Sequence, residues 1–359
     1  MITILGLDIG GANVKTVGLR YESEEVRSYR AASLPFEIWR EKERLPEILQ
    51  SAMEMVFPEN RPDALAVTMT AELADVFATK REGVGFVLDR LLETFPGMQG
   101  YALSLQGEFV PLVEARLRPL EFAASNWLAT ALYVGQAHPD CLLVDVGTTT
   151  TDVIPILNGQ ICALGRTDLE RLAAGELVYT GVLRTNLAAI VQSVPVRGRL
   201  CRVSSEDFAI SGDVYLILGF LRAKDYTCPT PDGRPATRET ARVRLARLVC
   251  ADTEMLVEDE IDTLASYVAE QQLGQVCVAI QQVLSRIQAA RDLPLLAAGS
   301  GAFLALKAGK RLGLDVSNLG ADWGKTGSTA APSLAVAFLL AQQLSQQNGT
   351  IHDESDRAR

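Results

Sequence analysis

Two short segments constrain this chain more than anything else in it. LGLDIGGANVK at residues 5–15 and LLVDVGTTTTD at 142–152 share one order: an apolar run, an Asp, a branched apolar residue, a Gly, then small or hydroxylated residues. β-Formers follow each turn at period two, so each segment reads as a β-hairpin and not as a strand entering a helix. Either turn alone is an ordinary hairpin corner, for which Asp and Gly are common residues. Two copies in the same order, about a domain apart, predict a duplicated unit whose turns face each other across a central cleft.

The rest of the chain divides accordingly. With 359 residues it is longer than a single core usually grows, so two lobes are expected. Helical periodicity at 45–57 and 84–95 brackets the strand ALAVTMT, and MQGYALSL adds another strand. The first lobe is drawn over 1–135 and the second over 136–347, with a helical insertion at about 170–290. The segment LPLLAAGSGAFLALKAGKRLG reads strand, glycine turn, helix, and SLAVAFLLAQQLSQQ is a last helix. The polar residues 348–359 form a tail with no reason to order.

The chemistry expected of the turns follows from glycine. Without side chains to shield them, successive amides can converge on an anion. Gly10, Gly11 and Gly147, the hydroxyls of Thr148 and Thr149, and Asn13 are the candidate phosphate ligands. Asp8 and Asp145 end their strands where a hydrated Mg²⁺ would bridge them to phosphate oxygens. Neither copy fits G-x-G-x-x-G or G-x-x-x-x-G-K-[ST], and no helix follows either turn, which disfavours dinucleotide and P-loop readings. A third turn, Gly299, Ser300 and Gly301, opens a helix and can hold a further phosphate or a sugar edge. Lys15 is a candidate cation for the first turn, with a solvated strand lysine as the alternative. Glu72 follows a strand end where site acids often lie, and Asp213 is a second candidate base; for both, a carboxylate at a helix start is the plainer reading. Tyr179 and Tyr215 are read as core residues.

A net charge of −10 argues against nucleic-acid and anionic-membrane partners, both of which reward a basic face. The apolar segments are too short or too interrupted to span a bilayer, and the N-terminus lacks a signal-peptide pattern. Cytoplasm is therefore the expected compartment. Six scattered cysteines and two histidines lack the close spacing of a zinc site.

LDIGGANVK, VDVGTTTTD and AAGSGA resemble the two phosphate turns and the adenosine turn of the superfamily that contains actin, Hsp70 chaperones and sugar kinases. That resemblance implies an α/β fold, a duplicated RNase H-like sheet in two lobes. Within it, VTMTAELADVF with KREGV, AASNWLATA, and VDVGTTTTDVIPI with NGQ resemble the hydantoinase A/oxoprolinase family, from residue 1 to about 340. Length, together with DLERLAAGELVYTGVLRTN, SGDVYLILG and PDGRPATRE, is similar to a short branch of that family, the tetrahydromethanopterin-linked C1-transfer pathway proteins. The resemblance implies a transferase that joins a furan-methyl diphosphate to a tyramine-like phenol, releasing diphosphate, with Mg²⁺ as cofactor, during synthesis of a methanofuran-like carrier. An ATP-dependent kinase or amide hydrolase would use the same turns to bind ATP and stays open as the alternative.

Overall fold

Alternating apolar residues carry Ile2–Ile9 and Asn13–Glu22 into strands β1 and β2, antiparallel with Ile9 opposite Val14 and Asp8 opposite Lys15. The computed structural model that shows this describes residues 1–288, 292–320 and 330–357, with side chains as far as Gln347. Strand β3 (Glu25–Pro35) continues the meander, and helix α1 (Leu45–Val56) buries Leu45, Ile48, Leu49, Ala52 and Val56 at helical spacing. The wholly buried β4 (Ala64–Met69) lies parallel to β1 and has the continuous apolar character of a strand covered on both faces. Helix α2 (Lys80–Thr94) starts at Thr79, whose side chain accepts from the Glu82 amide. Strands β5 (Gln99–Leu103) and β6 (Phe109–Pro111) complete a sheet of order β3-β2-β1-β4-β5-β6, and α3 (Asn126–Ala137) follows.

The second hairpin is β7 (Cys141–Val146) with β8 (Thr151–Leu157). After β9 (Gln160–Ile161) comes α4 (Asp168–Ala174), fixed by a Thr167–Glu170 capping box and by Gly175 at φ 73°. Then follow β10 (Leu177–Val178), a hairpin of β11 (Ser193–Val196) and β12 (Arg199–Arg202), and helices α5 (Ser211–Ile217), α6 (Arg238–Arg247) and α7 (Glu258–Leu284). The inserted region is thus helical with one small antiparallel ribbon. Strand β13 (Leu295–Ala298), helix α8 (Ala302–Arg311) and β14 (Val316–Asn318) return the chain to a sheet of order β10-β8-β7-β13-β14. The two sheets repeat one plan: three strands in antiparallel succession, then two added parallel to the first.

The last helix, α9 (Ala331–Arg357), corrects the lobe boundaries drawn from sequence. Met1–Pro139, Leu157–Ile161 and this helix form one compact unit; Asp140–Ile156 and Cys162 through β14 form the other. Leu334, Val336, Ala337, Leu340 and Ala341 pack with Ile4, Val17, Leu19, Ala64 and Ala66 in a buried cluster of the first unit. The helix also continues to Arg357, through the polar residues for which no order was expected; once nucleated on that packed face, each further residue adds a hydrogen bond at little cost. Ala358 and Arg359 lie outside the described residues.

Gly6 sets how closely α9 approaches β1. A Cβ there would overlap the Ser333 carbonyl oxygen and lie 2.8 Å from Ala337 Cβ. Gly6→Ala is expected to destabilise the first unit by about 1–3 kcal/mol through overpacking, read by denaturant unfolding. An unchanged midpoint would mean that α9 does not seat on β1 as described.

Candidate functional site

Each hairpin turn is held by its carbonyls, which leaves amides available. In the first unit, the Gly10 amide donates to Asn13 O (2.9 Å) and the Thr70 amide, just past β4, donates to Ile9 O (2.9 Å). Ile38 and Phe36 donate to Gly11 O (3.0 Å) and Ala12 O (3.1 Å). In the second unit, the Gly147 amide donates to Thr150 O (2.8 Å) and the Gly301 amide, just past β13, donates to Val146 O (2.8 Å). Val182 donates to Gly147 O, and Leu183 and Arg184 both donate to Thr148 O. Among the described residues, the amides of Gly11, Ala12, Thr148, Thr149 and Thr150 have no such acceptor. Adjacent unpaired amides on a tied-down turn form a preorganised anion cradle.

The carboxylates differ between the copies. Asp8 is 3% exposed; its Oδ2 lies 3.6 Å from Lys15 Nζ, and its Oδ1 is buried with no hydrogen-bond partner among the described residues. Burial pushes its carboxyl above the ordinary range, against the pull of Lys15. The lysine is thereby drawn to Asp8, its cross-strand neighbour. Asp145 faces Asp152 at the equivalent register, which sets their Cβ atoms about 4.5–5.5 Å apart on one face. Burial also raises the Asp152 carboxyl, opposed by the buried Arg171, whose Nη2 is 2.8 Å from Asp152 Oδ1. Asp152 was not singled out from sequence, although aligning the two hairpins puts it where the first has Lys15.

The third glycine turn joins the second within one unit. Gly299, at φ +83°, packs against Asp145: a Cβ would overlap its Oδ1 and the Val146 carbonyl. Gly301 packs on the Val146 and Val182 side chains, while Ser300 is exposed. A buried polar network secures the facing loop. Tyr215 OH donates to Gln272 Oε1 (2.8 Å), and Gln272 Nε2 donates to Thr180 Oγ1 and Gly181 O (both 2.8 Å). Gly181 in turn leaves no room for a Cβ against the Thr148–Thr149 peptide. Gln272→Leu would strand these partners and is expected to cost about 1–3 kcal/mol, measured by denaturant unfolding. A neutral result would show that the loop is held by something else.

Glu72 lies 2% exposed in the turn after β4, with Gly83 of α2 packed directly on its backbone. Asp213 belongs elsewhere, and the second-base expectation is corrected. It is wholly buried in α5, where Oδ1 accepts from Arg244 Nε (2.9 Å), Arg244 Nη2 (2.7 Å) and Tyr226 OH (3.2 Å), while Oδ2 accepts from the Ile210 amide (3.1 Å). Both oxygens are committed to holding the fold. Tyr215 is a core residue as expected, whereas Tyr179 is 62% exposed. Among the described residues no three or more His, Cys, Asp or Glu side chains gather as a metal cluster, and no helix is long and apolar enough to cross a membrane.

Two RNase H-like sheets, each with a glycine turn after its first strand, define the actin-like ATPase fold. A nucleotide-free acetone carboxylase structure shares it, with a TM-score of 0.57 at 9% identity, covering 94% of this chain and 70% of that one. The chain belongs to the hydantoinase/oxoprolinase family, whose model matches residues 63–343. It is 37% identical over 347 residues, 96% of this chain and 99% of the relative, to the (4-{4-[2-(gamma-L-glutamylamino)ethyl]phenoxymethyl}furan-2-yl)methanamine synthase of Methanocaldococcus jannaschii. A synthase of the same name from Methanococcus vannielii is 33% identical over 57% of this chain and 92% of its own.

Proposed function

We propose that the protein is a transferase that joins a furan-methyl diphosphate to the phenol oxygen of a tyramine-type acceptor, in the synthesis of a methanofuran-like C1 carrier. The observation that carries this reading is the near full-length similarity to a synthase whose product, by its name, contains a phenoxymethylfuran ether. Such an ether forms when the bond between the furan-methyl carbon and the diphosphate oxygen breaks, its electron pair leaving on diphosphate. The phenol oxygen bonds to that carbon, and the phenol proton passes to a base.

The turns suit that chemistry. Each turn by itself offers donors, the amides of Gly11 and Ala12 in the first hairpin and those of Thr148 to Thr150 in the second, suited to phosphate oxygens on which charge grows as a leaving group departs. Asp8 Oδ1, buried with no hydrogen-bond partner among the described residues, fits a cation, and Asp8 and Asp145 are each a candidate to hold Mg²⁺. When bound, Mg²⁺ supplies neutralising charge to diphosphate oxygens. A free phenol has a pKa of about 10, so a proton acceptor is needed. Glu72 is our first assignment, and Asp152, with its burial-raised carboxyl, takes the place given to Asp213.

The test is incubation of purified protein with Mg²⁺, an aminomethylfuran-methyl diphosphate and tyramine, following inorganic diphosphate and the ether mass. Equal yields of both are expected. No ether from active protein, together with turnover of ATP, would replace this reading with the kinase or amide-hydrolase one.

A further inference from the structure

We propose that Arg184 supplies the guanidinium that binds an anion at the Thr148–Thr150 turn, and that it makes this turn prefer a diphosphate to a monophosphate. The inference rests on the transferase reading above and concerns the second unit alone. The two hairpins differ in charge. In the first, Asp8 faces Lys15, one acid against one cation. In the second, Asp145 faces Asp152. Arg171 answers Asp152, but it is 1% exposed, and its Nη2 is shared between Asp152 Oδ1 (2.8 Å) and Glu176 O (3.0 Å). Two acids and one committed cation give these groups a net negative charge, which opposes an incoming anion. A second cation has to serve the Thr148–Thr150 amides.

Residues 181–185 bring one there. They lie against the turn: the Val182 amide donates to Gly147 O (3.1 Å), and the Leu183 and Arg184 amides donate to Thr148 O (3.1 and 2.9 Å). Gly181 has no room for a Cβ against the Thr148–Thr149 peptide. The segment is also tied from behind. Gly181 donates to Thr185 Oγ1 (2.8 Å), the Thr185 amide to Ser211 Oγ (3.2 Å), and the Ser211 amide to Thr185 O (2.8 Å). Gly181, Val182, Leu183 and Thr185 are buried, and Arg184 alone of these residues is half-exposed. A segment pinned on both sides thus carries its one solvent-facing residue, a cation, a single hydrogen bond from the cradle. Its fixed backbone leaves only the side chain to be ordered when an anion binds.

The preference for a diphosphate follows from the shape of the group. A guanidinium is a rigid fork of five donors, so it can keep one partner and still offer a pair of N–H groups to phosphate oxygens. A diphosphate has oxygens on two phosphorus atoms, one set for the Thr148, Thr149 and Thr150 amides and one for the fork. A monophosphate offers a single set and gains less from the second group. Lysine in the same place would keep the charge as a point and lose the fork. During the proposed reaction the guanidinium adds to the charge that steadies the departing diphosphate, a contribution that grows as negative charge builds on its oxygens.

Binding of inorganic diphosphate and of inorganic phosphate, each with Mg²⁺, should be measured by calorimetry for wild type, Arg184→Ala and Arg184→Lys, beside denaturant unfolding of each protein. Wild type is expected to bind diphosphate more tightly than phosphate. Arg184→Ala should weaken diphosphate binding by about 10-fold or more, the loss of one charge-assisted contact, weaken phosphate binding less, and leave the unfolding midpoint in place. Arg184→Lys should recover part of the affinity without the preference. Diphosphate binding that Arg184→Ala does not weaken, an equal loss for both anions, or no diphosphate binding by wild type would each overturn the assignment. Ether formation on the same preparations tests the transferase reading separately. A wild type that binds diphosphate through Arg184 and forms no ether would overturn that reading and leave the assignment standing.

Discussion

Asp8→Asn is expected to lower the rate of ether formation by about 10²- to 10³-fold while leaving the first unit folded and about as stable. The two effects separate because the native carboxylate serves the fold poorly. It is buried, one oxygen has no hydrogen-bond partner among the described residues, and its partner Lys15 keeps a side chain 35% exposed. An amide of the same shape removes the cost of burying a charge, and Lys15 stays hydrated. What Asn cannot supply is the negative charge that the proposed reaction needs for a cation beside a leaving diphosphate. Turnover and denaturant unfolding measured on one preparation check both halves. Full activity would remove the first turn from the chemistry, and a loss of several kcal/mol would show that Asp8 is held for structure.

That a carboxylate proposed for the chemistry costs stability bears on what the sequence could disclose. The repeated order of Asp, branched residue and Gly is local, and it correctly predicted two hairpins and hence two similar sheets, because turn chemistry and period-two alternation act over a few residues. The structure adds the register, which pairs Asp8 with Lys15 and Asp145 with Asp152. Asp152 takes the register position that Lys15 holds in the first hairpin, so alignment through the second strands points to it. The home of the last helix was not legible. Its apolar face would suit any sheet, and the choice rests on the bare surface of Gly6 meeting Ser333, 327 positions further along the chain. Asp213 misled for the same reason. An acid near a helix start looks alike whether it faces a ligand or a buried guanidinium contributed by another helix.

That buried pair yields the largest stability effect expected. Arg244 and Asp213 are both 0% exposed, and Arg244 also reaches Asp232 Oδ1 at 3.0 Å. Arg244→Met keeps the bulk and removes the charge, which leaves Asp213 to ionise alone in the interior; a loss of about 3–5 kcal/mol is expected near neutral pH. Burial already holds the Asp213 carboxyl above its ordinary value of 3.8, with Arg244 opposing. For a raised acid, stability is fully present below the unfolded value and is lost as pH rises through the folded one. Without Arg244 the folded value climbs further, so the variant should fall behind wild type increasingly as pH rises from about 4 to 7, and unfolding measured at both ends of that window checks the sign. Asp213→Asn leaves the buried Arg244 guanidinium to Asp232 alone, so a loss of similar size is expected, without the growth between about pH 4 and 7, because the amide does not titrate. Its folded molecules should keep their turnover number, whereas removal of a general base typically costs about 10²- to 10⁴-fold. A folded but inactive Asp213→Asn protein would return that residue to the catalytic machinery and undo the structural role assigned to it.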